Sequence, residues 1–276
     1  MSKIRIAQAQ MKVMPTVELS FEEAEKYLKK AKEEGADIFC LPEMFCCPYE
    51  TKNFPIYAQF DGGEMKKKAS ELAAKYGIII SAGSIPESDE EGRVYNTAYV
   101  FGRNGEQLAK HRKMHLFNID VKGGQRFFES ETLTAGNEVT VFDTEFGKMG
   151  LCICYDIRFP ELVRFMSFKG AAAVLCPAAF NMSTGPLHWE LCHRSEAMYN
   201  QLFVIATAPA RDMYSSYHAW GHSMIADPLG RVVSMMDEKE GLSVTEIDLD
   251  VINEAREQIP MLKQRRSDLY SLEEIK

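Results

Sequence analysis

Segments with helical periodicity alternate with short apolar segments along nearly the whole chain of 276 residues. Residues 17–34 carry apolar side chains at helical spacing, and Gly35 follows where a helix commonly ends. Either Thr16 or Ser20 can cap the start of this helix. The apolar run at residues 37–41 then indicates a buried strand. This order of helix and buried strand is typical of α/β folds, in which helices pack on a sheet.

The same order recurs further along the chain, mixed with hairpins. Strands are expected at residues 1–10 and 242–247, with a short helix after the latter. Helices followed by strands are predicted at residues 64–76 and 78–82, 160–169 and 172–176, and 188–200 and 202–208. Hairpins are predicted for residues 94–101 with 106–113, 139–143 with 148–155, and 223–226 with 232–236. No linker or repeat interrupts the pattern, so we predict one α/β domain, residues 1–276, with a large mixed sheet system.

Net charge and apolar patterning exclude several classes of function. The chain carries 32 Lys and Arg against 40 Asp and Glu, a net charge of −8. This balance argues against nucleic acid or an anionic membrane surface as the main partner. No apolar run reaches the ~18 residues of a membrane span, and the first ten residues are not typical of a signal peptide. Seven cysteines without a secretion signal indicate reduced thiols, so we expect a cytoplasmic protein.

Motifs for nucleotides and metals are missing from the sequence. Neither G-x-x-x-x-G-K-[ST] nor G-x-G-x-x-G occurs. The cysteines are not spaced in the two pairs of a structural zinc site. His188 and His193 are five residues apart, which on a helix places them roughly 140° from each other. We therefore expect neither a metal nor a cofactor.

A cysteine lies where an apolar strand is predicted to turn into a helix. The segment Gly-Leu-Cys-Ile-Cys-Tyr-Asp-Ile-Arg-Phe-Pro-Glu occupies residues 150–161, and Pro160 favours the first turn of a helix. Cys154 is therefore expected near a strand-to-helix elbow, where a nearby helix N-terminus would favour its thiolate. Cys152 is expected deeper in the strand, as a core residue.

Two further ionisable residues are predicted at strand ends. Glu43 follows the apolar strand at residues 37–41, where a carboxylate has no value for packing. Lys113 ends the second arm of the Asn104-Gly105 hairpin. Each could instead be an ordinary solvated residue. Strand ends are, however, where α/β sheets usually build their sites, so a site containing Glu43, Lys113 and Cys154 is the sharper hypothesis.

These three segments together resemble the motifs of the nitrilase superfamily of carbon–nitrogen hydrolases. Its pattern is a Glu after a strand, a Lys in R-K-x-H-L-F, and a Cys in G-x-x-x-C-Y-D-x-R-F-P-E. A second glutamate upstream of the cysteine is matched by Glu129, with Glu131 as a weaker candidate. The resemblance implies a four-layer α-β-β-α sandwich and a homodimer or larger even homo-oligomer.

Within this superfamily the sequence is most similar to the ω-amidase branch, which deamidates 2-oxoglutaramate and 2-oxosuccinamate. The resemblance implies Cys154 as nucleophile, Glu43 as proton relay, and Lys113 with the backbone N–H of Tyr155 at the oxyanion. Glu129 would position the substrate amide and Lys113. A distal substrate carboxylate needs a cationic partner, for which Arg158 is the first candidate. Tyr49 and Thr184 are candidate hydroxyl donors, and Phe117 a candidate apolar wall; with Tyr155 they complete the expected substrate-binding set.

Three alternatives remain open from the sequence. The same chemistry could serve an N-carbamoyl amidohydrolase or a deaminated-glutathione amidase, and a cationic carbamoyl amine would call for extra acids at the pocket mouth. A Cys–His enzyme could use His115 or His222 as base. The chain could also be an inactive interaction module, because fold does not determine function.

Overall fold

Two large sheets form the centre of the computed structural model, which describes residues 3–122 and 126–275. The first sheet has the order β15-β1-β2-β4-β5-β6, and β3 pairs with β4. Its strands are β1 (Lys3–Gln10), β2 (Ile38–Cys40), β3 (Gln59–Phe60), β4 (Ile79–Ser88), β5 (Val94–Phe101), β6 (Gln107–Arg112) and β15 (Gly241–Asp248). β1, β2 and β4 run parallel to one another. β15 is antiparallel to β1, β5 is antiparallel to β4, and β6 is antiparallel to β5.

The second sheet has the order β14-β13-β12-β11-β10-β9. Its strands are β9 (Thr140–Thr144), β10 (Gly147–Leu151), β11 (Ala173–Pro177), β12 (Phe203–Thr207), β13 (Met224–Ala226) and β14 (Val232–Met235). β10, β11 and β12 are parallel, and hairpins continue the sheet on both sides. A separate two-stranded hairpin consists of β7 (Asn118–Asp120) and β8 (Arg126–Phe128).

Helices cover the outer faces of both sheets. They are α1 (Val17–Glu33), α2 (Phe54–Tyr57), α3 (Gly63–Tyr76), α4 (Pro160–Phe168), α5 (Gly185–Asn200) and α6 (Asp250–Gln258). α1 and α3 pack on the first sheet, α4 and α5 on the second, and the two sheets face each other through β1 and β12 and through β4 and β11. The expected four-layer α-β-β-α sandwich is therefore confirmed.

The alternation of β1 shows why the sequence forms these layers. Ile4 and Ile6 are buried with residues of the second sheet, whereas Ala7 and Ala9 are buried against the helices α1 and α3. Gln8 shares the face of Ile4 and Ile6, and its amide donates to the carbonyl of Ala206 at 2.8 Å, across the two sheets. Both faces of the strand are thus buried, which is characteristic of a sheet covered on both sides.

Several element ends differ from the sequence prediction. Thr16, not Ser20, caps α1, because its hydroxyl accepts the backbone N–H of Leu19 at 3.2 Å. The strand predicted for residues 148–155 is wrong at its end, since β10 stops at Leu151 and residues 154–158 form a 3-10 helix. The strand predicted for residues 78–82 extends to Ser88. Across the described ranges, no helix is both long and apolar enough to cross a membrane.

Candidate active site

The four candidate catalytic residues lie just beyond the ends of strands and meet in one buried cluster. Glu43 follows β2, Lys113 follows β6, Glu129 follows β8 and Cys154 follows β10. All four side chains are at least nine-tenths buried. The structure therefore brings together the four residues to which the sequence assigned the chemistry. Glu131, the weaker candidate, is instead exposed and contacts Arg126 at 3.5 Å.

The ammonium of Lys113 is held between two carboxylates. Its Nζ lies 2.9 Å from Oε1 of Glu43 and 2.9 Å from Oε1 of Glu129. Burial alone would lower the pKa of Lys113, but the negative charges of Glu129 and Glu43 outweigh it and hold the pKa well above its usual range. The lysine is therefore a permanent, desolvated cation, which makes it a strong electrostatic group.

The Glu43 carboxylate is fixed by partners from both sheets. Its Oε1 accepts the side-chain amide of Asn96 at 2.9 Å, and its Oε2 accepts the backbone N–H of Ala179 at 2.8 Å. Glu43 also lies close enough to the Cys154 thiol for its negative charge to raise the pKa of that thiol. A carboxylate held within hydrogen-bond reach of a thiol can accept its proton, which is the geometry that a general base requires.

Cys154 begins the 3-10 helix with a backbone φ of +48°, a conformation that side-chain-bearing residues rarely adopt. Burial and the charge of Glu43 raise the pKa of this thiol well above its ordinary value, and Lys113 opposes them only in part. A nearby helix N-terminus was expected to favour the thiolate of Cys154, and burial and Glu43 act against that effect. Desolvation outweighs the terminus, so the thiol needs a neighbouring base to react.

Asp156 is a site residue that sequence reasoning missed. Its buried carboxylate contacts Nε2 of His111 at 3.0 Å and Nδ1 of His115 at 2.8 Å, and it accepts the backbone N–H of Ile153 at 3.0 Å. These contacts tie the segment that carries Lys113 to the elbow that carries Cys154. Two histidines flanking Lys113 at a spacing of two residues were the signal for this arrangement.

Neither histidine proposed as an alternative base faces the thiol. His115 points to Asp156 and stacks on the ring of Phe159, with 3.7 Å between ring centroids. Nδ1 of His222 lies 2.9 Å from the carbonyl of Trp220 in its own loop. Apart from burial, the groups that act on the pKa of the Cys154 thiol include Glu43, Lys113 and the backbone of Ala179. This geometry does not support a Cys–His enzyme.

Three of the five candidate substrate-binding residues surround this cluster. Tyr49 is inside it, because its hydroxyl lies 2.6 Å from Oε1 of Glu129 and 3.0 Å from Oε1 of Glu43. Phe117 donates its backbone N–H to Oε2 of Glu129 at 2.7 Å, and its ring meets that of Tyr155 edge-on at 5.1 Å. Phe117 and Tyr155 thus form one aromatic wall beside the cluster.

Arg158 and Thr184 lie further from the carboxylates. The guanidinium of Arg158 contacts Nδ1 of His188 at 2.5 Å and lies 4.3 Å from the centroid of the Phe180 ring. Within the described residues no carboxylate, those of Asp156 and Glu161 included, lies within 4.0 Å of it, and its buried Nε has no partner there. The Thr184 hydroxyl donates to Oδ1 of Asn181 at 3.0 Å.

A cavity of about 280 Å³ opens beside the cluster. Glu43 and Tyr49 line its buried wall, and Tyr217, Glu50 and Asp212 line its partly exposed part. Neither Lys nor Arg is among the described residues that line it. Among all the residues that the structure describes, no group of three or more His, Cys, Asp and Glu side chains is placed to hold a metal ion.

Comparison with known proteins identifies the family. The carbon–nitrogen hydrolase family model matches residues 3–257. The chain is 49% identical to the ω-amidase NIT2 of Xenopus tropicalis over 276 residues, which are 100% of both chains, and 44% identical to that of Homo sapiens over 99% of both. The crystal structure of Nit3 of Saccharomyces cerevisiae, a member of branch 10 of the nitrilase superfamily, superposes with a TM-score of 0.88 at 40% identity, covering 96% of this chain and 97% of the other. The resemblance found in the motifs is confirmed, and the chain belongs to the carbon–nitrogen hydrolase family, the nitrilase superfamily.

Proposed function

We propose that this chain is an ω-amidase that hydrolyses the terminal amide of small oxo-dicarboxylate monoamides, such as 2-oxoglutaramate and 2-oxosuccinamate. The observation that carries the proposal is the Lys113 ammonium, which lies 2.9 Å from each of two buried carboxylates, one of which, Glu43, is close enough to the Cys154 thiol to raise its pKa. The full-length relatives named ω-amidase support the substrate class.

The reaction begins at the Cys154 thiol. Glu43 accepts the thiol proton while the sulfur attacks the carbonyl carbon of the amide, which gives a tetrahedral intermediate. Its oxyanion is stabilised by the Lys113 ammonium and the backbone N–H of Tyr155, each such donor contributing roughly 3–4 kcal/mol. Glu129 keeps Lys113 in place through its contact at 2.9 Å.

The intermediate then breaks down to a thioester. Glu43 returns the proton to the nitrogen, the carbon–nitrogen bond breaks, and ammonia leaves while the acyl group stays on the sulfur of Cys154. A water molecule, deprotonated by Glu43, attacks the thioester carbon. The carbon–sulfur bond breaks, the acid is released, and the sulfur recovers its proton from Glu43, so that one water is consumed for each ammonia formed.

Arg158 is the group that we assign to the distal carboxylate of the substrate. It lies four residues after Cys154, on the same 3-10 helix, and its guanidinium has no carboxylate partner within the described residues. A partly buried guanidinium without a counter-charge is suited to an anionic ligand. Thr184 and the aromatic wall of Phe117 and Tyr155, which like Arg158 do not line the cavity of about 280 Å³, would contact this end of the substrate.

The decisive test is ammonia release from 2-oxoglutaramate combined with mass spectrometry of the intact enzyme. We expect an acyl adduct on Cys154 during turnover, and a loss of more than about 1,000-fold in rate for Cys154→Ser and for Glu43→Gln. Ammonia release by the Cys154→Ser variant at the rate of the unaltered enzyme would refute the mechanism. A folded enzyme that releases no ammonia from any amide would instead indicate an inactive interaction module.

A second candidate function is supported by the acids at the cavity. Glu50 and Asp212 line its more exposed part, where an N-carbamoyl amine would place its cationic amine. Glu50 is already paired with Lys52 at 2.7 Å, which reduces its pull on a ligand, so we rank this candidate second. A panel of 2-oxoglutaramate, deaminated glutathione and carbamoyl amines, compared by kcat/KM, separates the candidates.

The assembly and location are also proposals. We infer a homodimer or larger even homo-oligomer, supported by Leu187 and Leu191 on α5, whose side chains are 67% and 63% exposed. Light scattering after size exclusion tests this, and a monomer of 31.3 kDa would contradict it. The seven free cysteines support a cytoplasmic location. The single domain is proposed to span residues 1–276.

A further inference from the structure

Tyr49 occupies a place that a substrate-binding residue would not need. Its hydroxyl oxygen lies 2.6 Å from Oε1 of Glu129, 3.0 Å from Oε1 of Glu43 and 3.3 Å from Nζ of Lys113. From the sequence, this hydroxyl was expected to bind the substrate. In the structure it is instead surrounded by the three groups that are proposed to carry the proton and the charge.

A count of protons shows what this hydroxyl can do. A phenol has one proton, so Tyr49 can donate to only one of the two carboxylates at a time. Lys113 has three N–H groups, and one of them donates to the tyrosine oxygen. Burial, followed by the charges of Glu129 and Glu43, holds the pKa of Tyr49 well above its ordinary value. Tyr49 therefore remains a donor with two possible acceptors.

We propose that Tyr49 is a positioning residue whose hydroxyl donates to Glu43 while Glu43 is a carboxylate and turns to Glu129 when Glu43 takes the proton of Cys154. This inference rests on the proposed function, because it assumes that Glu43 is the proton relay. No covalent bond changes at Tyr49. The phenol proton only changes its acceptor, while the proton that moves travels from the sulfur to Glu43 and on to the leaving nitrogen.

The arrangement gives Glu43 a stabilising donor in one protonation state and withdraws it in the other. A hydrogen bond to a carboxylate favours the charged form, so Tyr49 helps to keep Glu43 ionised and ready to act as base. When Glu43 is protonated, Glu129 remains as the acceptor, and the phenol group is never left unpaired in the buried site. Both acceptors are within hydrogen-bond distance of the hydroxyl, Glu129 at 2.6 Å and Glu43 at 3.0 Å, so the change of acceptor needs no movement of the ring.

The ring of Tyr49 is held independently of its hydroxyl. Its centroid lies 5.5 Å from that of Phe54, 5.7 Å from that of Phe127 and 4.6 Å from that of Tyr217. Phenylalanine can make the same ring contacts. The substitution Tyr49→Phe therefore removes the donor with little change in packing, which makes it the informative variant.

The test is the pH dependence of kcat for 2-oxoglutaramate hydrolysis by Tyr49→Phe. We expect kcat to fall about 10- to 100-fold, because a hydrogen bond to a charged group is lost, while KM changes less than about threefold. The acidic limb of the profile should move to higher pH, since the carboxylate that acts as base loses a donor to its charged form. A rise in KM with an unmoved acidic limb would mean that Tyr49 binds substrate, and would overturn the inference.

Tyr217→Phe is the matched control. Its ring contacts that of Tyr49, but its hydroxyl donates to the backbone carbonyl of Ala179 rather than to a carboxylate. We therefore expect its acidic limb to stay in place. Equal upward shifts in both variants would show that loss of any nearby hydroxyl suffices, and would contradict the specific role of Tyr49.

A double-mutant cycle with Glu129→Gln provides a second readout. Glu129→Gln offers the Tyr49 hydroxyl a weaker acceptor, so this hydroxyl should donate to Glu43 instead. The acidic limb of the kcat profile should then move to lower pH. In the Tyr49→Phe variant there is no hydroxyl to change its acceptor, so Glu129→Gln should shift the acidic limb by less than it does in the unaltered enzyme. Strictly additive shifts would refute the coupling. If the unaltered enzyme hydrolyses no amide, the proposed function itself fails, which is a separate outcome.

Discussion

At the scale of single residues, the charge balance around Lys113 decides how the site works. Two carboxylates and one ammonium leave the buried cluster with a net charge of −1 when Cys154 is a neutral thiol. Burial, and after it the negative charge of Glu43, raises the pKa of the thiol, because ionising it would add a second buried negative charge. The sulfur therefore becomes a nucleophile only as Glu43 removes its proton during attack, so that the charge passes directly to the oxyanion beside Lys113.

The assignment of Arg158 leads to a prediction at this scale. Arg158→Ala should raise KM for 2-oxoglutaramate by about 10- to 100-fold, because a charge-assisted hydrogen bond to the distal carboxylate is lost. A neutral primary amide of similar length, which lacks that carboxylate, is the control substrate, and its KM should rise much less. Steady-state kinetics on both substrates check this, and an unchanged KM for 2-oxoglutaramate would place the carboxylate elsewhere.

At the scale of elements, a bulge in β4 supports the turn that carries Glu43. The pairing of β4 with β5 shifts between Ser81 and Ser84, and Gly83 lies there with a φ of +59°. A Cβ on Gly83 would lie 2.1 Å from the carbonyl oxygen of Pro42, the residue before Glu43. The Ser84 hydroxyl also accepts the backbone N–H of Met44 at 3.0 Å. The bulge therefore determines where the carboxylate of Glu43 lies.

Gly83→Ala tests this support. We expect the free energy of unfolding to fall by about 2–4 kcal/mol, from the close contact and the positive φ together, and kcat to fall more than about tenfold as Glu43 moves. Gly92→Ala is the matched control, because Gly92 has a φ of +76° and no atom within 4 Å of an added Cβ. It should cost about 1 kcal/mol and leave kcat unchanged. Urea unfolding measures the free energy of unfolding and steady-state kinetics measure kcat. Equal effects in both variants would contradict the role of the contact between Gly83 and the carbonyl of Pro42.

A buried acid on α5 predicts a pH-dependent stability. Burial raises the pKa of Glu196 to about 7, and the hydrogen bond from Asn200 at 2.8 Å opposes it only in part. Between the usual value of 4.5 and about 7, the folded protein binds more protons than the unfolded chain, so the free energy of unfolding falls as pH rises through this window.

Glu196→Gln should remove this dependence. The variant is expected to be more stable than the unaltered protein by about 2–3 kcal/mol at pH 8, and equally stable near pH 4.5. Glu190→Gln on the same helix is the control, since the Glu190 side chain is 47% exposed and should give no difference across this range. Urea titrations at several pH values provide the measurement. A gain from Glu196→Gln that is the same at every pH would contradict the burial argument.

At the scale of the whole molecule, much of the fold and of the site could be predicted from the sequence, partly from local periodicity and partly from the family resemblance. Periodicity was sufficient for most helices and for the hairpin at Asn104-Gly105, because caps and turns are local. The four layers and the pairing of Glu129 with Lys113 came from the family resemblance, since strand order is a long-range property. The placement of Tyr49 between two carboxylates could not be predicted, because it depends on packing among three separate segments.

The site is divided between the two sheets, which leads to a prediction for unfolding. Glu43 and Lys113 follow strands of the first sheet, Cys154 follows a strand of the second, and Ala179 donates to Glu43 from beyond β11. The core between the sheets is shared. Loss of activity in urea should therefore coincide with loss of the far-ultraviolet circular dichroism signal, with one midpoint for both. Activity that vanishes well before the signal would show that the site can come apart while the sheets remain.

The antiparallel pairing of β15 with β1 also bears on how the molecule comes into being. The partner of residues Lys3–Gln10 is Gly241–Asp248, so β1 is synthesised long before the strand that pairs with it. All four reactive groups emerge from the ribosome well before that partner does. Activity is therefore expected to appear late in translation. A nascent chain contains all four reactive side chains before it contains β15, the strand that pairs with β1.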